Sequence, residues 1–268
     1  MCLRLITALV SAAWLVSTPA AAQTFTLGET NQLPIEDQDN GGLVLVDGPW
    51  NLTVPAKLIN LSILVTEAAG ALTLGIYTAG ANNDCIGGAL VAQTNEFTSS
   101  RYSWNTAPPA ASIILQPGAY CLAFMPSSPD LVSRKGQRLG VGNKWFAHSS
   151  AEGTMPPTFP YPPTAADKGE DLYYWSLYAT LSEVSLNLSV NPPLPTIAAT
   201  AAPGSAIATV TAAWSDGSPF TGTLSFDLPY QNDGGAFALA GNQVVVGPGG
   251  IPLGDLNTTQ TVTITATQ

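Results

Sequence analysis

Two stretches decide the fold: LTLGIYTAGANNDCIGGALVAQTNEFT, Leu72 to Thr98, and ILQPGAYCLAF, Ile114 to Phe124. In the first, Leu72, Leu74 and Ile76 recur at every second position, the period of a strand that buries one face, and the chain then enters a Gly/Asn loop carrying Cys85. In the second, a turn at Pro117-Gly118 precedes a strand with Tyr120, Leu122 and Phe124 on one side and Cys121, Ala123 and Met125 on the other. Neither cysteine has a CxxC spacing, a histidine cluster or a basic activator beside it. That favours a structural disulfide between Cys85 and Cys121 over a metal pair or a reactive thiol. Closing such a loop stabilises a fold by about 3 to 4 kcal/mol on the chain-entropy account.

A disulfide needs an oxidising compartment, and the N-terminus supplies a route to one. MCLRLITALVSAAWLVSTPAAAQTF has a basic residue at Arg4, an apolar run from Leu5 to Val16 and small residues at Ala20-Ala21-Ala22. Residues 1–22 read as a secretory signal peptide cleaved before Gln23, since the apolar run falls short of the roughly 20 residues a bilayer span requires. No second apolar stretch of spanning length follows, so a secreted, periplasmic or surface-held chain is expected, with no membrane insertion after cleavage. Cleavage leaves 7 basic groups against 18 acidic ones, a net charge of −11. A negative surface repels phosphate backbones and argues against nucleic acid as a partner. Only 10% of residues are charged, as in bacterial extracellular β-proteins.

Outward from the two stretches the signals are all strands. LVLVDGPWNLTV reads as strand, turn at Asp47-Gly48-Pro49, strand. KLINLSILVTEAAGALTLGIYTA puts Leu61, Ile63 and Val65 on one face, turns at Ala69-Gly70 and resumes with Leu72, Leu74 and Ile76, which predicts a hairpin. GALVAQTNEFT, RLGVGNKWFAHSS and DLYYWSLYATLSEV supply further strands, the last with Tyr173, Trp175 and Leu177 on one face and Tyr174, Ser176 and Tyr178 on the other. Some eight short strands with regular turns predict an all-β double-sheet sandwich, a jelly roll, over residues 23–183. In the order of these segments the chain resembles jelly-roll modules of bacterial exported and tail-fibre-like proteins, similar in outline to carbohydrate-binding modules. The resemblance implies the fold and leaves open sugar binding, protein binding or spacing.

Residues 184–195, with NPPLP, read as a proline-rich linker. Beyond it, ATVTAAWSDGSPFTGTLSF, NDGGAFALAGNQVVV and TVTITATQ resemble a small immunoglobulin-like or cadherin-like domain of bacterial surface proteins, over residues 196–268. Its last strand alternates Val262, Ile264 and Ala266 against Thr261, Thr263 and Thr265. The cadherin-like resemblance raises calcium, with Asp227, Asn232 and Asp233 as the oxygen donors, Asp216 as a further one and Asp255 near in sequence only. QNDGGAF is equally a glycine-rich turn, and full cadherin acidic motifs are missing. Glu36, Asp37 and Asp39 form a second local group of acids, read also as a solvated loop.

Catalytic patterns are sparse. His148 is the single histidine, and there is no nucleophile elbow, no HExxH and no phosphate-binding loop opening a helix. Glu96, Glu152, Glu170 and Asp171 are the acids a glycosidase pair would draw on, and no pairing is visible among them. Aromatic residues fit binding better, because a sugar's C–H face stacks on a ring while its hydroxyls take directed hydrogen bonds. The candidates are Trp104, Trp145, Tyr161 and Tyr173, with Phe159, Tyr174 and Trp175 also aromatic and Trp104 and Trp145 placed in or near loops. The proline-rich MPPTFPYPPTAAD would wall a groove or resist proteases. The expected function is a non-catalytic binding or cell-adhesion module whose partner is a glycan or a cell-surface protein. A structural spacer with a protein partner and a hydrolase with an unrecognised acid pair are the alternatives.

Overall fold

The computed structural model describes residues 23–38, 40–137, 154–159, 173–193, 195–198, 200–226, 235–251 and 264–267, and the backbone of 144–149. Among these residues there are strands and turns and no helix long enough to cross a membrane. The chain divides into two compact units between Val184 and Ser185.

The first unit is built from two antiparallel sheets. One contains β1 (Thr24–Gly28), β2 (Ile35–Asp37), β4 (Ala56–Glu67), β8 (Ser103–Ala107), β9 (Ile114–Leu115), β11 (Val132–Gln137), β13 (Tyr173–Trp175) and β14 (Leu177–Glu183). The other contains β3 (Leu43–Leu52), β5 (Ala71–Thr78), β6 (Leu90–Gln93), β7 (Phe97–Thr98), β10 (Gly118–Pro126) and β12 (Lys144–Ser149). Their inner faces share one core: Leu61, Ile63, Val65, Leu177 and Leu181 from the first sheet meet Leu72, Leu74, Ile76, Leu122 and Phe124 from the second. This is the arrangement of a β-sandwich.

The predicted hairpin at Ala69-Gly70 does not form. The alternation and the turn are where the sequence puts them, but β4 pairs with β8, β9, β11 and β14, while β5 pairs with β10, β6 and β7. Both strands are almost wholly buried, and crossing from one sheet to the other lets Leu61, Ile63 and Val65 face Leu72, Leu74 and Ile76 across the core. A hairpin would have set those two apolar faces side by side and left both needing cover.

The turn expected at Asp47-Gly48-Pro49 is also absent, because β3 runs unbroken through it. Tyr120 pairs with Trp50 and Leu122 with Asp47, so Gly48 and Pro49 together oppose Cys121, and the strand bulges without leaving the sheet. Gly48 takes φ of 145°, and a Cβ there would lie 3.1 Å from the Cys121 sulfur. Glycine is therefore what lets β3 pass the disulfide.

Cys85 and Cys121 are joined, with sulfurs 2.08 Å apart and both residues fully buried. The bond clips the Gly/Asn loop after β5 to the outer face of the second sheet. There Val44, Val46, Tyr77, Ala123, Met125, Met155 and Phe159 form a separate apolar cluster. The segment at 154–159 closes it: the Phe159 and Gly87–Gly88 backbones exchange hydrogen bonds, Leu90 N donates to Pro157 O, and Tyr77 Oη donates to Pro156 O at 2.9 Å. Burial raises the Tyr77 hydroxyl well above its ordinary pKa.

In the second unit β15 (Leu186–Asn191), β16 (Ala206–Trp214), β19 (Gln243–Val246) and β18 (Phe237–Ala240) form one sheet, and β17 (Thr223–Phe226) pairs with β20 (Ile264–Thr267). Val210, Phe237, Val244 and Val246 make its core, with Leu224 and Ile264 packed against them. Within the segment read as a linker, Leu186–Asn191 is a paired strand of this unit. Leu186, Leu188 and Val190 alternate before the prolines begin, and that alternation decides the local structure.

Candidate functional site

The outer face of the first sheet follows from its register, since directly paired residues share a face. Core residues Leu61, Ile63, Leu177 and Ala179 point inward, so Asn60, Ser62 and Leu64 of β4, Tyr178, Thr180 and Ser182 of β14 and Trp104 and Thr106 of β8 point outward. Gly28, Tyr178, Ser62 and Thr106 form one row across the sheet, and Thr26, Thr180 and Asn60 the next. Ser62 and Thr106 hydroxyls hydrogen-bond at 2.8 Å.

Trp104 and Tyr178 belong to strands on opposite sides of β4, yet their rings meet edge to face with centroids 4.9 Å apart. The contact must cross above β4, which accounts for the burial of Ser62 and Leu64 although both face outward. At the end of this face stands Tyr102, 67% exposed and with φ of 52°. A left-handed backbone at a large aromatic residue costs about 1 to 2 kcal/mol, so the turn keeps a conformation that glycine would adopt freely. Arg101 Nη2 donates to Glu67 Oε1 at 2.6 Å and to Tyr102 Oη at 2.9 Å, with the guanidinium 4.5 Å from the Tyr102 ring centroid. The bonds to Glu67 and Tyr102 raise the Arg101 pKa above its ordinary value. This end of the sheet thus carries one exposed aromatic, a half-buried aromatic pair and neighbouring hydroxyl and amide groups.

Of the residues singled out from sequence, Trp104 lies here, in a strand rather than a loop and half-buried. Trp145 is in β12, paired with Asp47 of β3, and His148 pairs with Val44; their side chains lie outside the described residues. Tyr161, Asp227, Asn232 and Asp233 lie outside the described residues, as do Asp39, Glu152, Glu170, Asp171 and Asp255. Glu96 is exposed, and Asp216 accepts hydrogen bonds from Ser218 in its own turn. Phe159 and Trp175 are core residues, 1% exposed each, which removes them from the sugar candidates. Tyr102 was missed in the sequence reading because nothing in RYSW marks a positive φ, and Tyr178 because its partner comes from a distant strand.

Tyr173 belongs to a second cluster, on β13 at the edge of the first sheet. Its ring lies under Lys135 Nζ at 4.8 Å and its hydroxyl accepts from Gln137 Nε2 at 2.9 Å. Lys135 Nζ also donates to Asp37 Oδ1 at 2.6 Å, while Asp37 Oδ2 accepts from Trp175 Nε1 at 2.6 Å and Asn40 Nδ2 at 2.7 Å. Asp37 is therefore no solvated loop acid, and N–H donors already face both its oxygens. Asp47, fully buried in the opposite sheet, accepts from Trp50 Nε1 and from the Trp175 backbone at 2.8 Å, so one tryptophan is held by a carboxylate from each sheet. Such a satisfied network fixes packing. Among the described residues no three histidine, cysteine or acidic side chains are placed to hold a metal ion. Compared with protein-family models and with curated proteins, the chain matches none.

Proposed function

We propose that the chain is an exported, non-catalytic binding module that holds a glycan on the outer face of the first sheet. The observation carrying this is Tyr102, kept exposed in a costly backbone conformation two residues before Trp104, whose ring meets Tyr178. A strained, solvent-facing aromatic adds nothing to a core, and retained strain of this kind accompanies ligand contact. The sandwich and the resemblance to jelly-roll, carbohydrate-binding-like modules favour the same reading, as do the disulfide and the N-terminal signal-like segment for an oxidising compartment outside the cytoplasm. In this reading the immunoglobulin- or cadherin-like unit presents the binding unit at the cell surface, and calcium at Asp227, Asn232 and Asp233 is a matter for chelation.

The test is a glycan array probed with the whole chain, with calcium and with chelator, beside a Tyr102→Ala variant. Saturable binding that the variant loses is expected. Binding retained by the variant, or no binding under either condition, turns the assignment toward a protein-partnered surface component.

A further inference from the structure

The glycan face has one charged feature at its aromatic end, and its geometry bears on which glycans are admitted. Resting on the glycan-binding reading above, we infer that Glu67 is a specificity-determining residue that neutralises Arg101, so that the face takes uncharged glycans and rejects uronate- or sulfate-bearing ones. Arg101 is the cation beside Tyr102, and unpaired it would be a receptor for a sugar carboxylate or sulfate. Glu67 occupies that role at 2.6 Å, and the Tyr102 ring and hydroxyl hold the guanidinium against it. Both members of the pair are exposed, at 55% and 45% of the side chain, so the pair itself contributes little to stability.

Among the remaining outward positions, Asn60, Ser62, Thr106, Thr180, Thr26 and Tyr178 are neutral, Arg134 of the neighbouring β11 is closed by Glu36 at 3.0 Å in the same way as Arg101 is by Glu67, and Lys57 lies at the opposite end of β4. The chain as a whole is negative, at −10, which further opposes polyanions. Neutral donors and acceptors flanking aromatic rings are complementary to hydroxyls and C–H faces alone.

The experiment titrates the whole chain and Glu67→Gln against a neutral polysaccharide and its uronate or sulfated counterpart at two salt concentrations. The wild type is expected to bind the neutral polymer with little salt dependence and the anionic one at least tenfold more weakly. Glu67→Gln should shift the ratio of anionic to neutral affinity by about tenfold or more toward the anionic polymer, a shift that salt screens. Equal or tighter wild-type binding to the anionic polymer overturns the inference while leaving glycan binding in place, and so does a Glu67→Gln variant without the shift. Binding of neither polymer, with no other glycan bound on the array, removes the underlying reading and the inference with it.

Discussion

Asp47 shows how a single residue ties the two sheets. Its carboxylate takes the Trp175 backbone N–H from the opposing sheet and the Trp50 indole from its own strand. Asp47→Ala deprives the buried Trp175 N–H and the half-buried Trp50 indole of that partner, so a loss of about 2 to 4 kcal/mol is expected, read as a lower urea midpoint at unchanged slope. Tyr77 gives a pH signature. Its folded-state pKa is raised by burial, so the stability it supplies is complete below the unfolded value near 10 and falls as pH rises above it, by up to about 1.4 kcal/mol per unit. Denaturation midpoints between pH 9 and 11 should fall more steeply for the wild type than for Tyr77→Phe; parallel curves would refute this. Sequence alternation put Trp175 and Leu177 on one face and left open which face is core; both are core residues, because period two survives the break at Ser176. It could not give Asp47 a role, since DGP reads as a turn until the facing strand and its bulge are known.

At the scale of elements, β10 is the best-read strand: both of its faces were assigned from the alternation around Cys121, and both are buried, one in the main core and one under the disulfide-clipped loop. The failure at Ala69-Gly70 is of a different kind. Strand period and turn chemistry are local properties, whereas the choice between a hairpin and a crossing between sheets depends on which distant strands fill the neighbouring ladder. The disulfide spans 36 residues, and replacing both cysteines by serine should cost about 3 kcal/mol or more, since it adds two buried hydroxyls to the lost constraint. The effect should reach Met155 and Phe159, whose segment is packed over the clipped loop, and hydrogen exchange at Leu90 and Phe159 amides should rise first. Uniform exchange across both sheets would contradict a local clamp.

For the molecule as a whole, the two units have separate cores, and the fold class follows from pattern alone while the proposed binding face does not. Trp104 and Tyr178 come together only through the pairing of β8, β4 and β14, and Tyr102 stands in the turn before β8. On the function proposed, this face, and Tyr102 in particular, is kept for a ligand at the expense of the fold. Tyr102→Gly separates the two, because glycine relieves the left-handed backbone while removing the ring. The deciding measurement is a calorimetric titration of wild type and Tyr102→Gly with the tightest glycan from the array, with thermal unfolding of the same samples. An affinity at least tenfold weaker, about 1.4 kcal/mol, with an unchanged or higher Tm is the predicted result. Unchanged affinity, or a variant whose Tm falls together with its binding, would contradict the account.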